Sequence, residues 1–275
     1  MELGKVLRNS FITVSNVLGV TSCYRRACKK GGPFVRVICF HDVTDPVWFA
    51  NVINHIKSRY AILSPDSFFA QRYDNSKNNI LITFDDGYAS WVDFVSPIFK
   101  ENEIKGLFFV NSGLVHTYGD VDQQQAFVYQ NLLLSSSRKT ISWEGVASLS
   151  REGHTIGGHT ESHIRLSGSE EKIQLSEIQN DKIHIEKNIQ KNISAFAYPF
   201  GRISDYTELT KAVVAQAGYT HAFTTESGFV SHEAEGGTYA IPRTCIEEGL
   251  TLAQIDAWID GGYDVYAKFK KVCAG

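Results

Sequence analysis

The chain has 275 residues, of which 43% are hydrophobic and 21% charged, enough apolar side chain for a large core and too little polar bias for a disordered protein. Its 27 Lys and Arg residues stand against 30 Asp and Glu residues, a net charge of −3. This balance gives no basic field that would attract a nucleic acid or an anionic membrane, so we predict neither as the main partner.

The first 34 residues predict a helical extension ahead of a single domain over residues 35–275. Residues 6–20 have the pattern of an amphipathic helix, which we expect to pack on the domain, with peripheral lipid contact as the alternative. Ser15 and Asn16 interrupt the apolar stretch, so we predict neither a cleaved leader nor a membrane-spanning segment.

The cysteines are scattered, odd in number and without a CxxC pair, which is atypical of a disulfide-stapled domain. They are Cys23, Cys28, Cys39, Cys245 and Cys273. We therefore expect a reducing compartment, in the cytoplasm or at the inner membrane face.

Short apolar runs alternate with helical stretches along the chain. The runs are VRVICF (35–40), ILITF (80–84), GLFFV (106–110), HTIGG (154–158), SAFAY (194–198), THAFTT (220–225) and YAIPR (239–243). The helical stretches lie near 48–59, 88–102, 142–152, 169–191, 204–217 and 250–260. Ser167 and Glu170 have the spacing of a capping box for the fourth helix. Strand and helix repeated in this way predict an α/β barrel or a doubly wound sheet.

In both architectures ligands bind beyond the carboxyl ends of the strands, and here those ends are polar. His41-Asp42, Asp85-Asp86-Gly87, Asn111 and His159 each follow an apolar run. Successive strand residues point to opposite faces, so Asp85 and Asp86 share a site only if the strand bends or ends there, and Gly87 supplies that freedom.

The long connection 111–141 is rich in Gln and Ser. It is either an insertion that covers the site or a surface excursion.

His159 and His163 lie four residues apart, a spacing that suits two ligands of one metal ion. Two His and one Asp leave an open coordination position at which a divalent ion can acidify water. Asp85 or Asp86 would serve as the third ligand, and the other carboxylate would then be free to accept a proton.

Three strings in fixed order carry a family resemblance: TFDDG (83–87), HTESH (159–163) and FAYPFG (196–201). Together they resemble the first three motifs of the polysaccharide deacetylase family, the NodB-homology carbohydrate esterases. The resemblance implies a distorted (β/α)₇ barrel that removes acetyl groups from sugars with a divalent metal, usually zinc. It further implies Asp86, His159 and His163 as metal ligands and Asp85 as catalytic base, with the Phe200 backbone N–H as an oxyanion donor.

The sequence departs from the family pattern in two places. The third motif has Ala197 where members carry an Arg that orients the base, and Arg243 is our candidate for the replacement. A C-terminal acid-donating His is also not evident, since His232 in a polar loop is the only histidine after residue 221.

The N-terminal string ICFHDV (38–43) is similar to the circularly permuted branch of the family, which includes poly-N-acetylglucosamine deacetylases. This resemblance implies His41 as the general acid, with Asp42 as a candidate either to orient it or to stabilise its charge. An imidazole suits the role because its pKa allows both protonation states near neutral pH.

The predicted function is metal-dependent deacetylation of an N-acetylated sugar, free, polymeric, lipid-linked or nucleotide-linked, in the assembly of a bacterial surface glycan. The alternatives are hydrolysis of an O-acetyl ester or a non-sugar amide on the same barrel, and sugar binding without turnover.

Overall fold

A computed structural model describes residues 2–29, 32–231 and 237–274. This part of the chain contains eight strands: β1 (Val35–Phe40), β2 (Ala61–Leu63), β3 (Asn79–Asp86), β4 (Leu107–Val110), β5 (Thr155–Gly158), β6 (Ala195–Ala197), β7 (His221–Phe223) and β8 (Arg243–Cys245). The helices before β5 are α1 (Glu2–Val17), α2 (Val20–Lys29), α3 (Pro46–Arg59), α4 (Pro65–Phe69), α5 (Ser96–Asn102), α6 (Ser112–His116), α7 (Val121–Gln130) and α8 (Trp143–Arg151). The later helices are α9 (Glu171–Ile189), α10 (Glu208–Gln216), α11 (Leu252–Ile259) and α12 (Gly262–Ala274).

All the strands run parallel, in the order β7-β6-β5-β4-β3-β1-β8, and β2 pairs with the start of β3. A single bridge between Phe223 and Ile241 links the two ends of this order, so the sheet is a nearly closed barrel with helices around it. The predicted distorted (β/α)₇ barrel is confirmed.

The strands follow the predicted apolar runs, except at the last one. The run 239–243 does not form a strand, and β8 begins only at Arg243. Pro242 has no N–H to donate to a ladder, which explains why this stretch makes only the bridge at Ile241. The strand β2 was not predicted, because its three residues are too few to show a period.

Alternation along the strands separates an inner from an outer core. Val35 and Val37 of β1 face the barrel interior, whereas Ile38 and Phe40 pack outward against the helices. Residues two apart therefore share a side, and the interior stack on β1 continues from Val37 through Cys39 towards the carboxyl end of the strand.

The helix α9 begins at Glu171, and its N-cap Glu170 makes no side-chain capping bond. The predicted capping box is therefore wrong. Ser167 lies in a separate 3₁₀ turn, where its hydroxyl donates to the Ser204 carbonyl at 2.7 Å.

The N-terminal helices lie against α11 and α12. Ile12 of α1 is buried, and Arg8 makes a two-pronged ion pair with Glu247, just beyond β8, at 2.7 and 2.8 Å. Among the described residues, no helix has the length and apolar character needed to cross a bilayer.

Candidate active site

The site begins with a change of backbone direction at the end of β3. Asp86 has a φ of +85° and Gly87 a φ of +128°. The turn therefore starts at Asp86 itself, one residue earlier than the glycine that the sequence pointed to. It brings the side chains of Asp85 and Asp86 into the same cleft, although they are neighbours on one strand.

Asp86, His159 and His163 converge at this end of the barrel. One ligand atom from each lies within 4.8 Å of the other two, and all three side chains are buried. The Nε2 atoms of His159 and His163 both lie 3.5 Å from Oδ1 of Asp86. The structure thus brings together the three residues predicted as metal ligands.

Hydrogen bonds fix the orientation of both imidazoles. Nδ1 of His159 lies 2.7 Å from the Ala197 carbonyl, and Nδ1 of His163 lies 3.1 Å from the Asn131 carbonyl. A carbonyl can only accept, so each Nδ1 carries the hydrogen and each Nε2 keeps its lone pair.

The donor set fits a divalent cation. Oδ2 of Asp86 accepts from the Tyr88 hydroxyl at 2.8 Å, whereas Oδ1 is buried without a hydrogen-bond partner among the described residues. Burial opposes ionisation of Asp86, but His159 and His163 hold the pKa of its carboxyl below the ordinary value. Two imidazole lone pairs facing an unpartnered buried carboxylate oxygen form the His₂Asp set that zinc and similar ions take.

Positive φ angles recur around these ligands. Besides Asp86, Thr160 (+63°), His163 (+52°) and Phe200 (+59°) adopt the left-handed conformation that non-glycine residues avoid. Asn111, which follows β4, holds the Thr160 turn by donating to the Thr160 carbonyl at 2.7 Å. Such conformations concentrate where the surrounding structure fixes a functional geometry.

Asp85 points into the barrel and forms a bidentate ion pair with Arg243. Nη1 and Nη2 donate to the two carboxylate oxygens at 2.6 Å each, and both side chains are almost completely buried. Arg243 also donates to the Thr224 carbonyl at 2.9 Å and to the Thr83 hydroxyl at 3.2 Å. Burial would raise the pKa of Asp85, but the Arg243 guanidinium, together with His159 and His41, holds it below its usual value.

His41 lies beyond β1 at the wall of the same cleft, and its ring is exposed there. A ring nitrogen lies within 4.8 Å of Sγ of Cys39 and of a carboxylate oxygen of Asp85. Desolvation by the cleft lowers the pKa of His41, but Cys39, Asp86 and Asp85 together raise it by more.

The group of Cys39, His41 and Asp85 is close enough together to consider as a second metal site. Both oxygens of Asp85 are already bonded to the positive guanidinium of Arg243, which opposes a cation there.

Asp42 does not orient His41, and that prediction is wrong. Its carboxylate accepts from the Ser90 hydroxyl at 2.7 Å and pairs with Arg138 at 3.2 Å. His232 lies outside the described residues.

Phe200 follows β6 and lines the cleft. Its ring packs edge-on against His163 and lies under the guanidinium of Arg165, while its carbonyl accepts from the Thr225 hydroxyl at 2.6 Å. Among the described residues, no acceptor takes the Phe200 N–H, so this donor is available to a ligand.

The cleft encloses about 540 Å³. Leu132, Leu134 and Arg138 of the connection 111–141 form part of its lining, so this segment covers the site. From the opposite side come Lys5 of α1 and Glu247.

Sequence reasoning missed Asp181, which supports the site from α9. Its two carboxylate oxygens accept the backbone N–H groups of Ser112 and His159, each at 2.8 Å. Burial raises its pKa to about 7, against the effect of these bonds. A signal was available, because Asp181 lies at helical spacing on the buried stripe of α9 with Gln174, Ile178, Ile185 and Ile189.

Comparison with known proteins agrees with this geometry. The family model described as polysaccharide deacetylase matches residues 72–222. The chain therefore belongs to the polysaccharide deacetylase family, whose members are hydrolases that act on carbon–nitrogen bonds. The matched range contains Asp85, Asp86 and the two candidate ligands His159 and His163, whereas His41 and Arg243 lie outside it.

Two curated relatives are each 25% identical to the chain. They are YxkH of Bacillus subtilis (strain 168), aligned over 186 residues, and the poly-beta-1,6-N-acetyl-D-glucosamine N-deacetylase of Staphylococcus epidermidis, aligned over 191. The alignments cover 67% and 68% of this chain but only 57% and 61% of those proteins.

Solved structures share the fold. IcaB from Ammonifex degensii has a TM-score of 0.66 at 20% identity, and the Streptococcus pyogenes deacetylase PplD, solved with acetate, has 0.64 at 19%. Each comparison covers 83% of this chain and 98% of the other.

Proposed function

We propose that this protein is a metal-dependent deacetylase that hydrolyses the acetamide of an N-acetylated sugar. The observation that carries the proposal is the meeting of two sets of groups in one cleft. One set, Asp86, His159 and His163, is suited to a cation, and the other, Asp85 and His41, is suited to proton transfer.

Asp86, His159 and His163 would hold the cation, for which zinc is the leading candidate. A divalent ion there supplies Lewis acidity, which polarises a carbonyl and lowers the pKa of water. Asp181 acts through His159, because it fixes the backbone from which that imidazole projects.

Asp85 is the proposed catalytic base. Its low pKa keeps it ionised across the physiological range, so it can accept a proton from the attacking water. Arg243 takes the positioning role of the arginine that the third motif lacks, since its two bonds fix both carboxylate oxygens. A carboxylate oxygen has more than one acceptor direction, so these bonds leave room for the water.

Attack on the acetamide carbonyl places negative charge on its oxygen. The Phe200 N–H would donate a hydrogen bond to that oxygen. His41 would then give a proton to the departing nitrogen, because an amine is a poor leaving group until it is protonated.

The substrate class rests on the S. epidermidis relative, named for action on poly-β-1,6-N-acetyl-D-glucosamine. We extend this to an N-acetylhexosamine glycan, met during assembly of a bacterial surface polysaccharide. The four cysteines whose side chains are described are free, a pattern typical of a reducing compartment, so we place the reaction in the cytoplasm or at the inner membrane face.

The test is acetate release from β-1,6- and β-1,4-linked N-acetylglucosamine oligomers, with zinc and after chelation. Asp85→Asn should lower the rate about 10²–10⁴-fold with its zinc content unchanged. Asp66→Asn, at an exposed position on α4, is the matched control and should retain full activity. No acetate from any oligomer by zinc-loaded protein would refute the proposal.

His41→Ala separates the amide reaction from the ester alternative. We expect its rate on an N-acetyl sugar to fall about 10²–10⁴-fold, because the nitrogen then leaves without its proton. An O-acetyl sugar should be affected much less, since an alkoxide needs less help to leave. An equal, small effect on both substrates would contradict the acid role.

A further inference from the structure

Two cysteines that the mechanism does not use lie at the active site: Cys245 lines the cleft, and Cys39 is buried beside His41 and Asp85. Cys39 lies on β1 and Cys245 on β8, and the register of these parallel strands places them directly opposite one another. The Ile246 N–H donates to the Cys39 carbonyl at 2.8 Å, which holds the register at this point. Both thiols are free, and the Cys39 thiol donates to the Phe40 carbonyl at 3.4 Å.

The strand pairing gives the two cysteines the Cα spacing that a disulfide needs. Neighbouring strands are about 4.8 Å apart, which lies within the Cα separation of about 4.4–6.8 Å that disulfides span. Both residues follow an interior-facing residue by two positions, Val37 on β1 and Arg243 on β8, so both side chains point into the barrel.

The two thiols have different surroundings. Cys39 is completely buried, whereas Cys245 is partly exposed and lines the catalytic cleft. Burial raises the pKa of the Cys39 thiol well above its ordinary value. The neighbouring Cys39 thiol and the Arg243 guanidinium lower the pKa of Cys245. Cys245 is therefore the accessible nucleophile, and Cys39 is the buried thiol that would resolve its oxidised form.

We propose that Cys245 and Cys39 form a reversible dithiol–disulfide couple in the active-site wall, oxidised by peroxide, and that the disulfide form is inactive. The site thus accepts a small peroxide as a second kind of reactant. The loss of activity rests on the proposed deacetylase function, whereas disulfide formation does not.

The chemistry balances in two steps. The Cys245 thiolate attacks one oxygen of hydrogen peroxide, the O–O bond breaks, and the departing hydroxide takes a proton to become water, which leaves a sulfenic acid. The Cys39 sulfur then attacks the Cys245 sulfur, and the hydroxyl leaves with the Cys39 proton as a second water. Two thiols and one peroxide become one disulfide and two waters, and a dithiol reductant reverses the change.

Inactivation follows from the neighbours of the pair. His41 lies two residues beyond Cys39, and Arg243, which holds Asp85, lies two residues before Cys245. A bond between the sulfurs would shift the proposed acid relative to the base, and a displacement of about 1 Å in a catalytic group can cost about 10²-fold in rate.

The experiment treats the reduced, zinc-loaded full chain with hydrogen peroxide, alkylates the remaining thiols in denaturant and maps the peptides by mass spectrometry. We expect a linked Cys39–Cys245 peptide, a loss of acetate release of tenfold or more, and recovery of both after dithiothreitol. Cys39→Ala should stop at a sulfenic acid on Cys245 that dimedone traps. The control Cys23→Ser/Cys28→Ser, altered at two exposed sites on α2, should respond as the wild type does.

The couple would be overturned if peroxide oxidises Cys23 or Cys28 while Cys39 and Cys245 are both recovered in alkylated form. A linked peptide with undiminished acetate release would overturn the switch. If the reduced protein releases no acetate at all, the deacetylase proposal fails, and the peptide map still decides whether the couple exists.

Discussion

We propose that Arg243 replaces a side chain that other family members carry on a different strand. Family members carry the base-orienting arginine in the third motif, where this chain has Ala197 at the end of β6. Here the guanidinium comes from the start of β8 and reaches the same carboxylate across the barrel interior. The function of such a residue is defined by where its side-chain atoms lie, so a motif search alone does not find it.

Arg243→Met should leave the buried carboxylate of Asp85 without its counter-charge. We expect about 10²-fold lower kcat/KM and an acidic limb of the pH profile at higher pH, because the largest effect that opposes burial is then lost and the pKa of Asp85 rises. The pH dependence of acetate release measures this. Arg243→Lys keeps the charge and should shift the limb less, and an unmoved limb in the Met variant would argue against the positioning role.

His154 should make the stability of the protein depend on pH. It is buried, its Nδ1 accepts from the Gly106 N–H at 3.1 Å, and burial lowers its pKa from 6.5 to about 4. Between pH 6.5 and 4, His154 is therefore protonated in the unfolded chain but neutral in the folded protein. The free energy of unfolding should therefore fall as the pH drops from 6.5 to 4, by roughly 3 kcal/mol.

His154→Asn keeps an acceptor near the Gly106 N–H but does not titrate. Denaturant unfolding of both proteins at several pH values isolates the effect, since all other histidines are shared. We expect the stability advantage of the wild type to shrink as the pH falls. Parallel curves for the two proteins would contradict this explanation.

At the scale of elements, a buried ion pair joins the barrel to its last helix. Nη2 of Arg36 on β1 donates to Asp264 on α12 at 2.8 Å, and both side chains are completely buried. The Thr244 hydroxyl accepts from Nη1 of the same arginine at 2.6 Å. The pair lies on the outer side of β1 and β8, away from the cleft, so it supports the strands that carry His41 and Arg243.

Arg36→Met should lower the free energy of unfolding by about 3–5 kcal/mol, because Asp264 is left as an uncompensated buried charge. The double variant Arg36→Met/Asp264→Leu should recover a large part of that loss, since it removes both charges. Urea unfolding measures both values. A single variant as stable as the wild type would show that the pair is not needed.

At the scale of the whole molecule, four parts of the barrel supply the proposed metal site and its support. Asp86 comes from β3, the histidines from the segment after β5, a ring-orienting carbonyl from β6 and Asp181 from α9. A ligand bound only when these parts are assembled stabilises the fold by mass action.

Zinc at about a hundred times its Kd should add roughly 2.7 kcal/mol to the free energy of unfolding and raise the Tm by roughly 5–10 °C over the chelated protein. His163→Ala should abolish this shift. His184→Ala, on α9 outside the site, is the matched control and should retain it. Thermal unfolding with zinc and with chelator measures these Tm values. An equal Tm for the chelated and the zinc-treated wild type would count against the site.

The sequence by itself determined the alternation of strands and helices, because apolar runs and helical periods are local properties. It also determined the set of candidate ligands and proton carriers, because polar residues at strand ends have few structural reasons to be there. Three linked strings were enough to indicate the family.

Only the tertiary structure decided how these residues are used. The grip of Arg243 on Asp85, the removal of Asp42 from His41 and the support from Asp181 each depend on atoms far apart in sequence. The facing thiols of Cys39 and Cys245 follow from the pairing of β1 with β8, across about 200 residues of chain. Such contacts are set by strand order and register, which the closing of the barrel fixes and no local pattern encodes.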